Sequence, residues 1–183
     1  MGMPSPATFY TAEMVRALPE DGNRYETVHG ELLVSPAPRP VHQRVLGRLY
    51  LGLAQFLQVH PVGELLSSPA DISWSEDTLV QPDLFVVHPE EAGAREWTSI
   101  KRLLLVVEVA SPSTARADRY TKRRLYQEVG VPLYWWVHAE ARLVEIWTPE
   151  ALFPKEERDF LLWTPAGAEA AFRLPLVELF RGL

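Results

Sequence analysis

The sequence contains no cysteine among its 183 residues. This absence excludes disulfide bonds, thiolate zinc sites and cysteine nucleophiles, and it is compatible with a reducing cytoplasm, where we expect the protein to reside. No apolar run approaches the roughly 20 residues that span a bilayer, so we expect no membrane-embedded segment. Residues 1–14 also lack the basic stretch followed by an apolar stretch that a secretory signal has.

Positive charge is scarce as well. The chain has 18 lysine and arginine residues against 24 aspartate and glutamate residues, a formal net charge of −6. This balance argues against a protein that coats nucleic acid non-specifically, because such binding needs a broad basic surface. One local basic cluster exists, and its members are Arg116, Arg119, Lys122, Arg123 and Arg124. Such a run is by default a solvated helix face, and nucleic-acid binding by Arg116, Arg119 and Arg123 is the alternative.

Internal repeats, low-complexity tracts and flexible linkers are absent, which favours one domain over 1–183. Periodicity predicts an N-terminal hairpin, Tyr25–His29 with Glu31–Val34 around Gly30, and then a long helix over Val41–Val59. Further strands are predicted near Glu64–Trp74, Leu79–Val87, Leu103–Ala110, Pro132–Val137, Leu143–Trp147 and Phe160–Trp163. A helix over about Ala115–Val129 connects two of them. The fold class is therefore α+β, or mixed α/β, with few helices.

The run LLLVVEVA at 103–110 has one charged residue, Glu108, among seven apolar residues. An apolar run without alternation predicts a strand covered on both faces. A carboxylate buried there is costly unless something compensates its charge. In a strand, Glu108 shares a face with Leu104 and Val106, and it lies near the carboxyl end, where open α/β sheets place their ligands.

The helix that follows offers Glu108 a partner. At about 100° per residue, Lys122 lies in the middle of the helix's only apolar stripe, and Asp118 lies one turn earlier on the same side. A lysine at the centre of a packing face needs a charged partner. Glu108, in the preceding buried strand, needs one too.

Asp83 is a second isolated carboxylate, and it opens the strongly apolar strand that follows Pro82. Two carboxylates at the ends of two core strands suit a hard, oxygen-seeking cation such as Mg²⁺ or Mn²⁺. This chemistry favours attack on a phosphoryl group, with a nearby lysine to orient water or stabilise the developing charge.

Each of these residues also has a structural interpretation. Backbone donors or a salt bridge can satisfy a buried glutamate, and an aspartate after proline is often a turn or cap residue. A lysine on an apolar helix face often extends to water. A simple Glu108–Lys122 ion pair would explain two of the three residues without any chemistry.

Taken together, two segments resemble the PD-(D/E)XK superfamily of restriction-endonuclease-like proteins: VQPDLFVV and VVEVASPSTARADRYTKRRLYQEVGVPLYWWV. Within that superfamily, the match is to a large family of small bacterial proteins, Uma-type, that are classed as restriction endonucleases. The earlier stretch RYETVHGELLVSPAPRPVHQRVLGRL is similar to the N-terminal motif of the same family. The resemblance covers roughly residues 24–148.

The resemblance implies a restriction-endonuclease-like core, in which helices flank a mixed β-sheet, and a Mg²⁺- or Mn²⁺-dependent endonuclease that hydrolyses DNA phosphodiester bonds. Asp83 matches the aspartate of the PD motif, and Glu108 matches the acidic residue of (D/E)XK; both would bind the metal. Two residues after Glu108 the superfamily has lysine, where this chain has Ala110. In this family the lysine lies on the next helix, where Lys122 is the match.

Four further residues are candidates for auxiliary roles. Glu31 and His42 match the N-terminal motif: Glu31 would add a carboxylate or a supporting hydrogen bond, and His42 is either a core histidine or part of the site. Gln81 and Asp118 are similar candidates for supporting the metal ligands.

An alternative is a non-catalytic nucleic-acid-binding or assembly module that kept the fold, which the acidic net charge favours. Many nucleases of the superfamily are dimers, and the six tryptophans permit a self-interface. We therefore expect a homodimer.

Overall fold

The computed structural model describes residues 9–183; the first eight residues of the predicted domain lie outside this range. The α-helices in the described range are α1 (Ala12–Arg16), α2 (Pro40–Val59), α3 (Arg123–Glu128) and α4 (Leu176–Leu179), and two short 3-10 helices cover Pro89–Glu91 and Trp97–Ser99. The strands are β1 (Arg24–Val28), β2 (Glu31–Ser35), β3 (Glu64–Ser67), β4 (Ile72–Ser75), β5 (Thr78–Val80), β6 (Leu84–Val87), β7 (Leu103–Val109), β8 (Tyr134–His138), β9 (Leu143–Trp147), β10 (Lys155–Glu157), β11 (Phe160–Trp163) and β12 (Phe172–Pro175). This mixed α+β content confirms the predicted fold class.

A six-stranded sheet forms the centre of the molecule, in the order β10-β9-β8-β7-β6-β3. Strands β7 and β8 are parallel, and the other neighbours are antiparallel. On one face, α2 packs with α4 and the β11–β12 hairpin; Leu49 and Leu53 of α2 are fully buried there. The apolar stripe of α2 forms as its three- and four-residue spacing predicts.

A four-stranded sheet, in the order β2-β1-β5-β4, covers the other face together with α3. Val28, Ile72 and Val80 of the small sheet pack in one cluster with Val106 of β7 and Tyr126 of α3. Strand β7 is therefore covered on both sides, as its unbroken apolar run predicts.

The chain crosses between the two sheets at two neighbouring places. Strand β3 belongs to the large sheet and β4 to the small one, while β5 belongs to the small sheet and β6 to the large one. The hydroxyl of Ser68 lies 2.9 Å and 2.6 Å from the carbonyl oxygens of Gln81 and Pro82, which joins the two crossings. The predicted stretch Leu79–Val87 is thus two strands, because Pro82 has no N–H for a ladder. Asp83 lies at this crossing.

The connection after β7 begins with a π-helical segment, Ala117–Lys122, and continues as α3. The helix predicted over about Ala115–Val129 is therefore π-helical in its first half. Its inward face is confirmed, because Asp118, Lys122, Leu125 and Tyr126 are all buried. π-Helical turns are rare and often occur at functional sites.

Two further features depart from the sequence prediction. The short strands β10 and β12 were not predicted. The pairing of β6 with β7 shifts register between Val86 and Val87, so Leu104 packs on the α2 side rather than on the face of Val106 and Glu108. A bulge of this kind leaves no periodic signal in an all-apolar run.

Candidate active site

Asp83 and Glu108 lie side by side at the ends of adjacent strands. Leu84 of β6 pairs with Val107 of antiparallel β7, so one further step in this register sets Asp83 beside Glu108. The N–H of Val109 donates to Oδ2 of Asp83 at 2.8 Å. Asp83 is 3% exposed and Glu108 is 0% exposed, so the predicted acidic pair is brought together in a nearly dry environment.

Asp83 is held by cationic and neutral donors on both of its oxygens. Nη1 of Arg24 lies 3.0 Å from Oδ1, and Nε2 of His42 lies 2.9 Å from Oδ2. Burial alone would raise the pKa of Asp83, but the His42 hydrogen bond, the Arg24 charge and the Val109 N–H together hold it well below the usual 3.8. Asp83 is therefore an oriented and permanently ionised carboxylate.

Lys122 reaches the same place from the π-helical segment. Its Nζ lies 3.0 Å from Oε1 of Glu108 and 3.3 Å from Oδ1 of Asp118, one turn earlier. Burial would lower the pKa of Lys122, but the surrounding carboxylates outweigh burial and raise it above the usual 10.5. Lys122 is therefore a fixed cation and not a proton acceptor.

Glu108 is the least compensated of the carboxylates. Its Oε1 accepts hydrogen bonds from Lys122 and from the Tyr126 hydroxyl, both at 3.0 Å. Its Oε2 is buried and has no hydrogen-bond partner among the described residues. Burial raises the pKa of Glu108 well above 4.5; Lys122 opposes this, and the neighbouring carboxylates reinforce it.

Two site residues were missed by the sequence prediction, and both lie on β1. Oε2 of Glu26 lies 2.8 Å from Nζ of Lys122, and Glu26 is fully buried. Arg24, two residues earlier, donates to Asp83 as well as to the carbonyl oxygen of Gln81. The two residues are two positions apart on β1, so their side chains share one face of the strand, but this spacing alone does not show that the face is covered.

The predicted auxiliary residues differ in their placement. His42 and Asp118 are buried in contact with Asp83 and Lys122, respectively. Gln81 contributes its backbone N–H, which donates to Oε1 of Glu26 at 2.7 Å. Glu31 is exposed, whereas Glu26 of β1 is buried against Lys122. The auxiliary role suggested for Glu31 stays a prediction.

The cluster as a whole has more negative than fixed positive charge. Four buried carboxylates surround two permanent cations, Arg24 and Lys122. These carboxylates are Glu26, Asp83, Glu108 and Asp118. A buried excess of negative charge is compensated by protonation or by a bound cation.

The donor chemistry of the cluster fits a hard divalent cation. Within residues 9–183, no three or more histidine or carboxylate side chains are already arranged to hold a metal ion, since the carboxylates turn towards Lys122 and Arg24. Mg²⁺, however, is usually bound by one or two protein carboxylates together with water and substrate phosphates. Asp83 and Glu108, with its unpartnered Oε2, supply such a pair.

Two clefts reach the cluster, and both are lined in part by Ser35, Ser113 and Thr114. The larger, of about 1280 Å³, is lined by Arg24, His42 and Asp83. The smaller, of about 740 Å³, is lined by Glu26, Asp118 and Lys122. We call them the aspartate cleft and the lysine cleft.

Most of the basic helix residues are engaged within the molecule. Nη2 of Arg119 lies 2.6 Å from the buried carboxylate of Glu145. Arg123 donates to Gln127 and lies over the Trp147 ring, with its guanidinium carbon 4.6 Å from the centroid. Arg116 is exposed and lines the lysine cleft. Of the three arginines suggested for nucleic-acid binding, Arg116 is thus the best placed.

Comparison with known proteins identifies the family. Residues 12–167 match the Uma2 family model, described as "Putative restriction endonuclease". The chain belongs to the Uma2 family. The match spans most of the chain and includes every residue of the cluster, so the resemblance to restriction-endonuclease-like proteins is confirmed.

The fold of this Uma2 protein resembles that of a solved structure from Anabaena variabilis ATCC 29413, described as a putative nuclease belonging to DUF820. The TM-score is 0.75 at 18% identity, and the match covers 93% of this chain and 97% of the other. No curated protein sequence matches the chain. In the described part of this Uma2 protein, no helix combines the length and apolarity needed to cross a bilayer.

Proposed function

We propose that this protein is a Mg²⁺- or Mn²⁺-dependent endonuclease that hydrolyses DNA phosphodiester bonds in the cytoplasm. The observation that carries the proposal is the unpartnered Oε2 of Glu108, buried beside Asp83 in a cluster with excess negative charge. The Uma2 membership and the nuclease-like fold support it.

Asp83 and Glu108 would hold the metal, and Glu26 and Asp118, which both contact Lys122, are the further carboxylates of the cluster. When bound, the cation supplies Lewis acidity, which withdraws charge from a phosphoryl oxygen and makes water more acidic. Asp83 is prepared for this role because Arg24, His42 and the Val109 N–H keep it ionised and oriented. Orientation of a ligand by such neighbours strengthens metal binding.

Lys122 and Arg24 would act as fixed positive charges on the two sides of the site. Lys122 is buried against Glu108, where it stabilises the ionised form of that carboxylate. Arg24 lines the aspartate cleft and is more accessible, with 23% of its side chain exposed. A guanidinium in that position is suited to stabilise charge on a phosphate as it develops.

Cleavage of supercoiled plasmid DNA tests the proposal. We expect wild type to nick DNA in Mg²⁺ or Mn²⁺ and not in EDTA. Asp83→Asn and Glu108→Gln should each reduce the rate about 100-fold or more, since each removes a charged ligand. Equal rates for wild type and Asp83→Asn would refute the assigned site.

Glu26 and Glu31 form a matched pair for a second comparison. Glu26→Gln should reduce cleavage, because Glu26 is buried against Lys122. Glu31→Gln should retain it, because Glu31 is exposed. The opposite result would return the auxiliary role to Glu31.

The alternative of a non-catalytic nucleic-acid-binding or assembly module has one observation in its favour. Asp83 already has donors on both oxygens, so a cation must compete with Arg24 for Oδ1. Calorimetric titration with Mn²⁺ separates the two functions. Absence of Mn²⁺ binding in wild type, with DNA affinity preserved, would favour the module.

A further inference from the structure

The lysine cleft has a mixed lining that the catalytic cluster does not explain. Its floor is formed by Glu26, Asp118 and Lys122, and its rim by β2, including the exposed Glu31, and by residues 113–121 before and within the π-helical segment. Two rim residues, Arg116 and Tyr120, carry the side chains that nucleic acids most often contact, a guanidinium and an aromatic ring.

Tyr120 presents an exposed ring beside Arg119, whose guanidinium carbon lies 5.9 Å from the centroid on one side of the ring. Tyr120 is 57% exposed, and it lies two residues before buried Lys122 on the same segment. A large aromatic side chain usually buries much of its ring, and Tyr120 is the most exposed of the tyrosines and tryptophans among the described residues. Arg116 stands one turn earlier, exposed and with no ion pair to another described residue.

We propose that the lysine cleft binds an unpaired strand of DNA, with one base stacked on Tyr120 and a neighbouring phosphate paired with Arg116. The inference rests on the proposed function, since it sets the strand at the catalytic cluster. It identifies the substrate class as single-stranded or locally unpaired DNA.

Accessibility favours an unpaired strand over a duplex. The bases of a duplex are stacked on one another, so a base is free to stack on a protein ring only when it has left the helix. The side chains of Glu26 and Lys122 at the cluster are at most 1% exposed. A phosphate therefore reaches the Lys122 ammonium group only by entering the cleft. A flexible single strand can make this entry without distorting a partner strand.

Charge favours the same substrate class. Binding to a duplex depends on many phosphate contacts by basic side chains. Here Arg119 and Arg123 are engaged with Glu145 and Gln127, and Lys122 is surrounded by three carboxylates. Arg116 is then the main cation of the cleft that is free for a phosphate, so stacking must supply much of the affinity.

Fluorescence anisotropy with a fluorescein-labelled 12-nucleotide strand and its duplex tests the proposal, with Ca²⁺ replacing Mg²⁺ so that no cleavage occurs. We expect the single strand to bind more tightly than the duplex. Tyr120→Ala should weaken binding of the single strand about 5- to 150-fold, the usual effect of losing one stacked base. Tyr120→Phe keeps the ring and should bind as wild type does.

Tyr50→Ala is the matched control, because Tyr50 is 43% exposed on α2 and lines neither cleft. It should leave binding unchanged. Tighter binding of the duplex, unchanged binding in Tyr120→Ala, or absence of binding to the single strand would each overturn the proposal. Circular dichroism on each variant shows that the fold is retained.

The binding assay separates this inference from the nuclease proposal. If wild type binds the single strand through Tyr120 but cuts no DNA in Mg²⁺ or Mn²⁺, the strand site stands and the endonuclease proposal fails. If wild type cuts duplex plasmid while Tyr120→Ala binds and cuts as wild type does, the nuclease stands and the strand site fails.

Discussion

Glu108 illustrates at the scale of one residue how a proposed metal ligand can oppose stability. Its buried Oε2 has no partner among the described residues, and burial together with three other carboxylates raises its pKa. Without a metal, the ionised form therefore destabilises the folded protein. Functional sites commonly retain such a conflict because the same charge is needed for binding.

This conflict predicts how the stability of the metal-free protein depends on pH. A raised pKa means that the folded state holds the proton longer than the unfolded state. Stability is therefore complete below about pH 4.5, the ordinary value for glutamate, and declines as pH rises through the folded pKa of Glu108. Urea unfolding in EDTA from pH 4.5 to 8 measures the slope of the free energy of unfolding against pH.

Glu108→Gln should reduce this slope and raise the free energy of unfolding at pH 8, because glutamine has the same shape and no charge. Part of the slope should remain, since burial also raises the pKa of Asp118. Glu31→Gln, an exposed change, should leave the slope and the free energy of unfolding unchanged. Asp83 does not contribute to the pH dependence between pH 4.5 and 8, since its lowered pKa affects stability only below about pH 3.8. If the free energy of unfolding of Glu108→Gln depended on pH as strongly as that of wild type, Glu108 would not be the source of the pH dependence.

At the scale of the element, the β1–β2 hairpin positions Glu26 and Arg24 through its turn. His29 and Gly30 of the turn have φ of 50° and 79°, the left-handed conformations that favour a tight two-residue connection. The turn fixes the register in which Glu26 pairs with Leu33 and faces the central sheet.

Gly30→Ala should destabilise the protein by about 1–2 kcal/mol, because alanine is strained at positive φ. The added Cβ would also meet the ring of Phe9. Gly47→Ala is the matched control: Gly47 lies within α2, where a Cβ meets no atom within 4 Å. Gly47→Ala should stabilise the protein by about 0.5–1 kcal/mol. Thermal unfolding compares the two variants with wild type. Equal changes in melting temperature for Gly30→Ala and Gly47→Ala would contradict the role of the turn.

Local periodicity explains which site residues could be predicted. Glu108 and Lys122 each stand out on a single element, one in an apolar strand and the other on an apolar helix stripe, and the structure sets their side chains 3.0 Å apart. Asp83 was marked by Pro82 and the apolar strand that follows. The assigned roles of these residues stay predictions.

Glu26 and Arg24 could not be predicted because their burial depends on a second sheet. Strand β1 reads as an ordinary polar hairpin strand, and its inner face is covered only because the small sheet packs on the large one. The two-sheet arrangement follows from the crossing at Gln81–Asp83, and a proline near a strand does not show which sheet the strand joins.

At the scale of the whole molecule, the structure reduces one reason for expecting a homodimer. Four of the six tryptophans are buried in the described chain, so they belong to the core rather than to a self-interface. These are Trp135, Trp136, Trp147 and Trp163. Dimerisation stays a prediction, and we expect light scattering to give twice the mass of one chain. A monomeric mass would contradict it.

Lys122 lies on a helical segment and not on the strand of Glu108, and this position affects how related proteins are recognised in genomes. The lysine and its partner Glu108 are 14 residues apart in the chain, yet their charged atoms touch. A search that requires lysine two residues after the acidic residue passes over every protein built this way. The common property is the point in space that the ammonium group reaches, so a three-dimensional template finds such relatives where a string of letters does not.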